Sequence, residues 1–352
     1  MKHLLLVFFF FLPLISEAKT TVKARYSAAA NIFIIMDQTS NWWPGFTEEE
    51  YQVYWKNRFG LSEEDLKIFK DYADLRWRYY SDPDQQEKDP LKNRNGFFSM
   101  LGTLESDPLA NAFYASSTLA EALQRAEKLV SKEDLQFLIE FYKHFEPNYS
   151  QVLKETVVFE TTAKKLNKLI SKPQIAKFYD QVREYYGVAG EVNYEVLHVW
   201  WPIQKRTLAT PAGQYLLMYF NPESHKDLMD QDVVFHEIVH TISMKQSLEQ
   251  KQAFTKIFLE KCPVSPKLKK TVILEEPLAV AIGQVLFMEK FFPADFHYEQ
   301  SLYNNPWIST FGRLITPVIR EDFKRKKKMD ETTISSLANI CAELAATTKL
   351  LQ

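Results

Sequence analysis

The chain has 352 residues, of which 46% are hydrophobic and 25% charged, with a net charge of -2. That length supplies one large domain or two lobes with a substantial core. The charge gives no general attraction to nucleic acid or anionic lipid, and nine glycines are too few for a turn-dense all-β fold or a Gly-rich phosphate loop.

Residues 1–18 read as a secretory signal. Lys2 and His3 make a short basic start, Leu4 to Ile15 is an apolar run broken only by Pro13, and Ser16-Glu17-Ala18 has small residues at the outer positions of a cleavage site. The run is shorter than the roughly 20 apolar residues that a transmembrane helix needs. The expectation is an exported protein, periplasmic or secreted, with no stable membrane insertion after cleavage; an uncleaved anchor is the rival reading. Asn31 to Met36 is a short apolar run with the character of a strand. Thr47-Glu48-Glu49-Glu50 looks like a helix start, with threonine as cap and acids in the first turn. From there to about Tyr186 the pattern is mostly helical. Ser62 and Ser131 open two segments, and the runs Leu119 to Val130, Leu135 to Phe145 and Val152 to Ile170 repeat every 3.6 residues. Pro83 and Pro90 bracket a polar loop. Residues 19–187 therefore read as a helical N-terminal lobe. The sequon Asn148-Tyr149-Ser150 matters only in a eukaryotic source.

The character changes near Gly187, and residues 188–352 read as a second region. Val192 to Trp201 is rich in β-branched and aromatic residues, Thr207 to Thr210 is a candidate return strand, and Gln214 to Phe220 is another, which together suggest a small antiparallel sheet. The acids Glu223, Asp227, Asp230 and Asp232 then lead into His236-Glu237-Ile238-Val239-His240, an H-E-x-x-H pattern. On a helix, residues four apart lie on one face, so both imidazoles reach one metal ion. Glu237, about 100° round the helix from His236, is placed to hold a water there. Val234, Phe235, Ile238, Val239 and Ile242 form one apolar stripe roughly opposite the two histidines. Two histidines on a solvated helix face would need neither the glutamate nor that segregation. Asp232, one turn before His236, reads as a helix-start acid and, less simply, as an acceptor that orients an imidazole. His144, His198 and His225 stand alone, and each reads as surface or satisfied core.

A zinc site needs a third protein ligand and keeps a fourth position open. Six residues after His240 stands Gln246, not the histidine of a metzincin, and the downstream G-T-x-x-x-D of an aspzincin is missing. Leu274-Glu275-Glu276-Pro277-Leu278-Ala279 does contain a carboxylate followed three residues later by alanine, like the E-x-x-A of third-ligand helices. It points to Glu276, with Glu275 as the rival. Pro277 is tolerated if it lies in the first turn of a helix running from near Glu276 to about Phe291; a helix starting near Leu268 would be kinked there. Cys262 and Cys341 either form one bridge or remain two buried thiols.

With these residues the stretch from about Val192 to Phe291 resembles the gluzincin group of zinc metallopeptidases. The G-x-M-E-N motif of the large aminopeptidase family is absent. The resemblance implies an α+β, predominantly helical protein: a zincin-like catalytic region with a small antiparallel sheet, preceded by the helical lobe. It implies one zinc per chain held by His236, His240 and Glu276. It also implies hydrolysis of a peptide or protein substrate, with Glu237 as general base and an oxyanion donor downstream of the third ligand, for which His297, Tyr298 and Tyr303 are available. In such enzymes the last strand before the helix borders the cleft, so Gln214 to Phe220 is a candidate for strand addition by substrate; an interior strand paired on both sides is the plainer alternative. The competing functional reading is a catalytically silent zinc-binding exported protein that acts as an interaction module.

Overall fold

The computed structural model describes residues 20–43, 47, 49–80, 107–202, 208–223, 229–262 and 272–347. The signal segment 1–18, the loop around Pro83 and Pro90, the turn at 203–206, His225 and Asp227 lie outside the described residues. The fold is α+β and mostly helical, with one four-stranded mixed sheet.

The chain enters the sheet at β1 (Thr20–Arg25). Thr20, Val22 and Ala24 face inward in alternation with the more exposed Thr21, Lys23 and Arg25, a period of two that was there to be read in the sequence. Helix α1 (Ala28–Ser40) follows, where a strand was expected from Asn31 to Met36. Ser27 caps it by accepting from the Ala30 N–H at 2.9 Å, and nearly every residue of the helix is buried. A helix enclosed on all sides has an unbroken apolar run, which periodicity cannot separate from a buried strand. Its fully buried Asn31 extends the sheet instead. Where β1 ends, the side-chain amide donates to the His198 carbonyl at 3.0 Å and accepts from the Trp200 N–H at 2.8 Å.

Helices α2 (Glu49–Phe59), α3 (Glu63–Tyr79), α4 (Pro108–Tyr114), α5 (Leu119–Ala126), α6 (Lys132–Glu155), α7 (Val158–Ile170) and α8 (Pro173–Tyr185) build the rest of the N-terminal part. Ser62 and Ser131 cap α3 and α6 as their sequences suggest. The sequon at Asn148 falls inside α6, where the backbone is already bonded.

Strands β2 (Val192–Trp200), β3 (Leu208–Ala212) and β4 (Tyr215–Phe220) complete a sheet of order β1-β2-β4-β3. The expected antiparallel sheet is corrected: β1 and β4 both run parallel to β2, and only the β3–β4 hairpin is antiparallel. Its two-residue turn carries Gly213 at φ 62°, a conformation open to glycine at no steric cost. The parallel pairing joins residues 20–25 to 192–197, so one sheet draws on both stretches of the chain. The proposal that substrate adds to Gln214–Phe220 is likewise corrected, because β4 is interior and paired on both sides. Its six residues are all buried, as a strand covered on both faces requires. The edge is β3, with Pro211 tolerated there because an edge strand can spare a donor.

Beyond the sheet lie α9 (Gln231–Ser243), α10 (Leu248–Lys261), α11 (Val272–Ala279), a π-helical stretch (Val280–Leu286), α12 (Phe287–Phe291), α13 (Pro306–Lys324) and α14 (Glu331–Thr347). Helix α9 packs on β3 and β4. The basic run after α13 behaves as a solvated helix end, with Lys324 on Glu321 at 2.6 Å and Lys327 on Asp330 at 3.0 Å. No described helix is long and apolar enough to cross a membrane.

Cys262 and Cys341 form a disulfide, with Cα atoms 5.4 Å apart, that ties the end of α10 to α14 across 79 residues of chain. Closing a loop of that length restricts the unfolded chain by about 4.5 kcal/mol on the chain-entropy account. Cys341→Ser is expected to lower the urea-unfolding free energy by several kcal/mol, measured on oxidised wild type and variant side by side. A loss under about 1 kcal/mol would show that the bridge adds little to what the packing of α10 on α14 already holds.

Candidate metal centre

Helix α9 is buried on every side from Val234 to Ser243, so its two histidines and its glutamate sit in the interior and not on a solvated face. His236, Glu237 and His240 are 4%, 8% and 8% exposed. The helix is fixed from several directions. Its apolar stripe enters the core, and the Tyr194 hydroxyl of β2 donates to the Thr241 carbonyl. Gly283 of the π-helical stretch lies so close that a Cβ there would stand 2.6 Å from His236 Cα and 2.7 Å from the Phe235 carbonyl oxygen.

Glu276 reaches the same point from α11. That helix is already formed at Val272, the first residue described after position 262, so the expected start near Glu276 is corrected and Pro277 falls inside the helix, while a start near Leu268 lies outside the described residues. Proline supplies no N–H to the carbonyl four residues back, which loosens the turn that carries Glu276. The helix then widens into the fully buried π stretch, a form that recurs at functional sites. Glu275, the rival ligand, points elsewhere and pairs with Lys251 of α10. Adjacent helical residues diverge by about 100°, so the two carboxylates cannot share one target.

Three atoms converge. His236 Nε2 and His240 Nε2 are 3.1 Å apart, and Glu276 Oε2 is 3.3 Å from the first and 3.2 Å from the second. These are the one group of three or more potential metal-binding side chains among the described residues. A tetrahedral ion with ligand bonds of about 2.05 Å holds its ligand atoms about 3.3 Å apart, so the triangle has the dimensions of one face of such a site. Hydrogen bonds alone account for it poorly, because one Nε2–H of His240 cannot be directed at both neighbours at once. Two imidazoles and one carboxylate form a donor set suited to zinc.

The charges support one another. Burial works against a charged His240, but the adjoining Glu276 carboxylate outweighs it and lifts the imidazole to about 9. Glu276 is subject to desolvation, which would raise it, yet His240 and His236 hold it well below the usual carboxylate range. Glu237 is pushed up, chiefly by burial and further by Glu276, while the two histidines oppose the shift. Its Oε2 and the Nδ1 of His236 are buried with no hydrogen-bond partner among the described residues. Asp232 therefore does not orient His236 by a bond to that nitrogen and stands as a helix-start acid.

Of the three candidate donors, Tyr303 alone comes to the site. Its ring lies 5.9 Å from that of His236, and its phenol is close enough to Glu276 to feel the carboxylate's charge. Burial, then the negative Glu276 and Glu237, push the phenol up, so it stays protonated and able to donate at neutral pH. His297 and Tyr298 are exposed, and Tyr298 packs on Phe296. Among the isolated histidines, His144 meets Asp65 at 2.8 Å, and His198 is enclosed between Phe159 and Phe220. Sequence reading missed Gly283 and Lys251. A glycine inside an otherwise apolar helical run was a usable sign for the first, whereas nothing local marks a lysine as buried.

Because His240 is protonated below about 9 in the metal-free site, metal can bind only by expelling that proton. Zinc affinity is expected to rise with pH through neutrality, by about tenfold per unit. Titration calorimetry at pH 7 in buffers of different ionisation enthalpy should show about one proton released per zinc; zero release would contradict the charge state derived for the site.

No protein-family model, curated protein or solved structure matches this chain.

Proposed function

We propose that the protein is a zinc-dependent metallopeptidase of gluzincin type, exported by its N-terminal signal. The convergence of His236 Nε2, His240 Nε2 and Glu276 Oε2 within 3.3 Å, with Glu237 on the same helix, carries this reading. An ion held by those three atoms would supply Lewis-acid polarisation and lower the pKa of a water. Glu237 is not needed as a ligand. Buried beside the site with one oxygen unpartnered, it has the higher carboxyl pKa that a group taking and returning a proton requires. It takes the proton of the water that attacks the peptide carbonyl and gives it to the departing amine. The Tyr303 hydroxyl, protonated and beside the site, is the donor assigned to the oxygen on which charge develops. The outer edge of β3, on which α9 packs, is where an extended substrate could align.

Purified mature protein is expected to carry one zinc per chain by elemental analysis and to cleave a mixed peptide library. Chelator should stop cleavage and added zinc should restore it. Absence of zinc after supplementation at neutral pH would refute the metal site. Full zinc occupancy with no cleavage of any peptide would favour the silent zinc-binding protein.

A further inference from the structure

Lys251 is a lysine that the proposed chemistry does not use, yet only 3% of its side chain is exposed. Enclosing an ammonium costs several kcal/mol unless it is paired, and its partner is the residue immediately before the third ligand. Glu275 meets the Lys251 ammonium while Glu276 faces the two histidines. The arrangement joins two helices at their most sensitive point. Lys251 is on α10, whose far end is fixed to α14 by the Cys262–Cys341 bridge. Glu275 and Glu276 are on α11 just ahead of Pro277, where the helix lacks a backbone hydrogen bond. A turn weakened in this way does not by itself hold its rotation about the helix axis. Because the two carboxylates diverge by about 100°, fixing one sets the direction of the other.

We propose that the Lys251–Glu275 ion pair is a positioning device for the metal centre. It sets the rotation of α11 so that Glu276 Oε2 completes the triangle with His236 and His240. Lys251 is not one of the three converging side chains, and the proposed effect on Glu276 runs through Glu275. The proposal rests on the metal-site reading above and adds to it a part of the structure that no ligand pattern includes. Ser243, Gln246 and Tyr186, which line the small space beside the pair, belong to the end of α9 and the segment it packs on, so the pair sits at the junction of all three helices.

The test uses the full mature chain as wild type, Lys251→Met, Glu275→Gln and the double variant Lys251→Met/Glu275→Leu. Three properties are read: zinc affinity by competition with a chromophoric chelator, the visible spectrum of the cobalt-loaded protein, and the melting temperature of the metal-free protein. Each single variant removes one member of the ion pair and leaves the other charge without that partner, so both are expected to lose thermal stability and zinc affinity. The double variant removes both charges and is expected to recover stability. Its zinc affinity should nevertheless stay about 10- to 100-fold below wild type, the usual effect of losing a group that orients a ligand, with a cobalt spectrum altered in position or intensity. A double variant with wild-type affinity and spectrum would overturn the positioning role and leave the pair a structural link. A wild-type chain that binds neither zinc nor cobalt would instead overturn the metal site, and this inference with it.

Discussion

Glu237→Gln is expected to abolish peptide hydrolysis while leaving zinc in place. The substitution keeps the size and shape of the side chain and removes only its capacity to carry a proton. Loss of general-base catalysis costs about 10²- to 10⁴-fold in rate, and the three atoms proposed to hold the ion are untouched, so zinc affinity should change little. A second readout is independent of activity. The folded-state pKa of Glu237 is raised, so the fold favours its protonated form, and the destabilisation it causes grows as pH rises through its unfolded value toward its folded one. Replacing it with glutamine should therefore raise the melting temperature of the metal-free protein at pH 7 more than at pH 4. Equal cleavage rates for variant and wild type would exclude Glu237 as the base. A variant that lost zinc would show that the carboxylate is itself a ligand.

The parts of this molecule that were legible in the sequence are those set by local spacing. Two histidines one turn apart with glutamate between them announce a shared face, and the E-x-x-A beginning at Glu276 pointed to the carboxylate that lies beside both histidines. Serine caps at Ser62 and Ser131 marked helix starts because the capping bond is made within three residues. Apart from the place of Pro277 within its helix, the misreadings concern partners far away in the chain. Asn31 to Met36 looked like a strand because burial on every side erases the helical period. The sheet looked antiparallel because β1, which pairs in parallel with β2, lies some 170 residues earlier and its pairing leaves no trace in either strand alone. Interior β4 and edge β3 differ only in which neighbours they find. Tyr303 was one of three aromatic or imidazole candidates in a loop, and only the path of the chain between α12 and α13 distinguishes it from His297 and Tyr298.

Gly283→Ala is expected to damage the proposed metal centre without replacing His236, His240 or Glu276 themselves. The π-helical stretch and α9 meet there by their backbones, and an alanine Cβ would stand 2.6 Å from His236 Cα, 2.7 Å from the Phe235 carbonyl oxygen and 2.8 Å from the His236 nitrogen. Those neighbours are main-chain atoms inside a buried helix, so no side chain can swing aside to make room. Ordinary contact begins near 3.4 Å, so the two helices must part by several tenths of an ångström. Overpacking of this kind costs about 1–3 kcal/mol. The same displacement carries Glu276, one helix run earlier, away from His236 and His240, whose ligand atoms are now 3.2–3.3 Å from its Oε2. Zinc affinity is expected to fall at least about tenfold, and the metal-free protein should melt several degrees lower. A larger side chain widens the gap further, so Gly283→Val should exceed Gly283→Ala in both effects. If Gly283→Ala binds zinc as tightly as wild type, the close approach of the two helices does not set the position of Glu276.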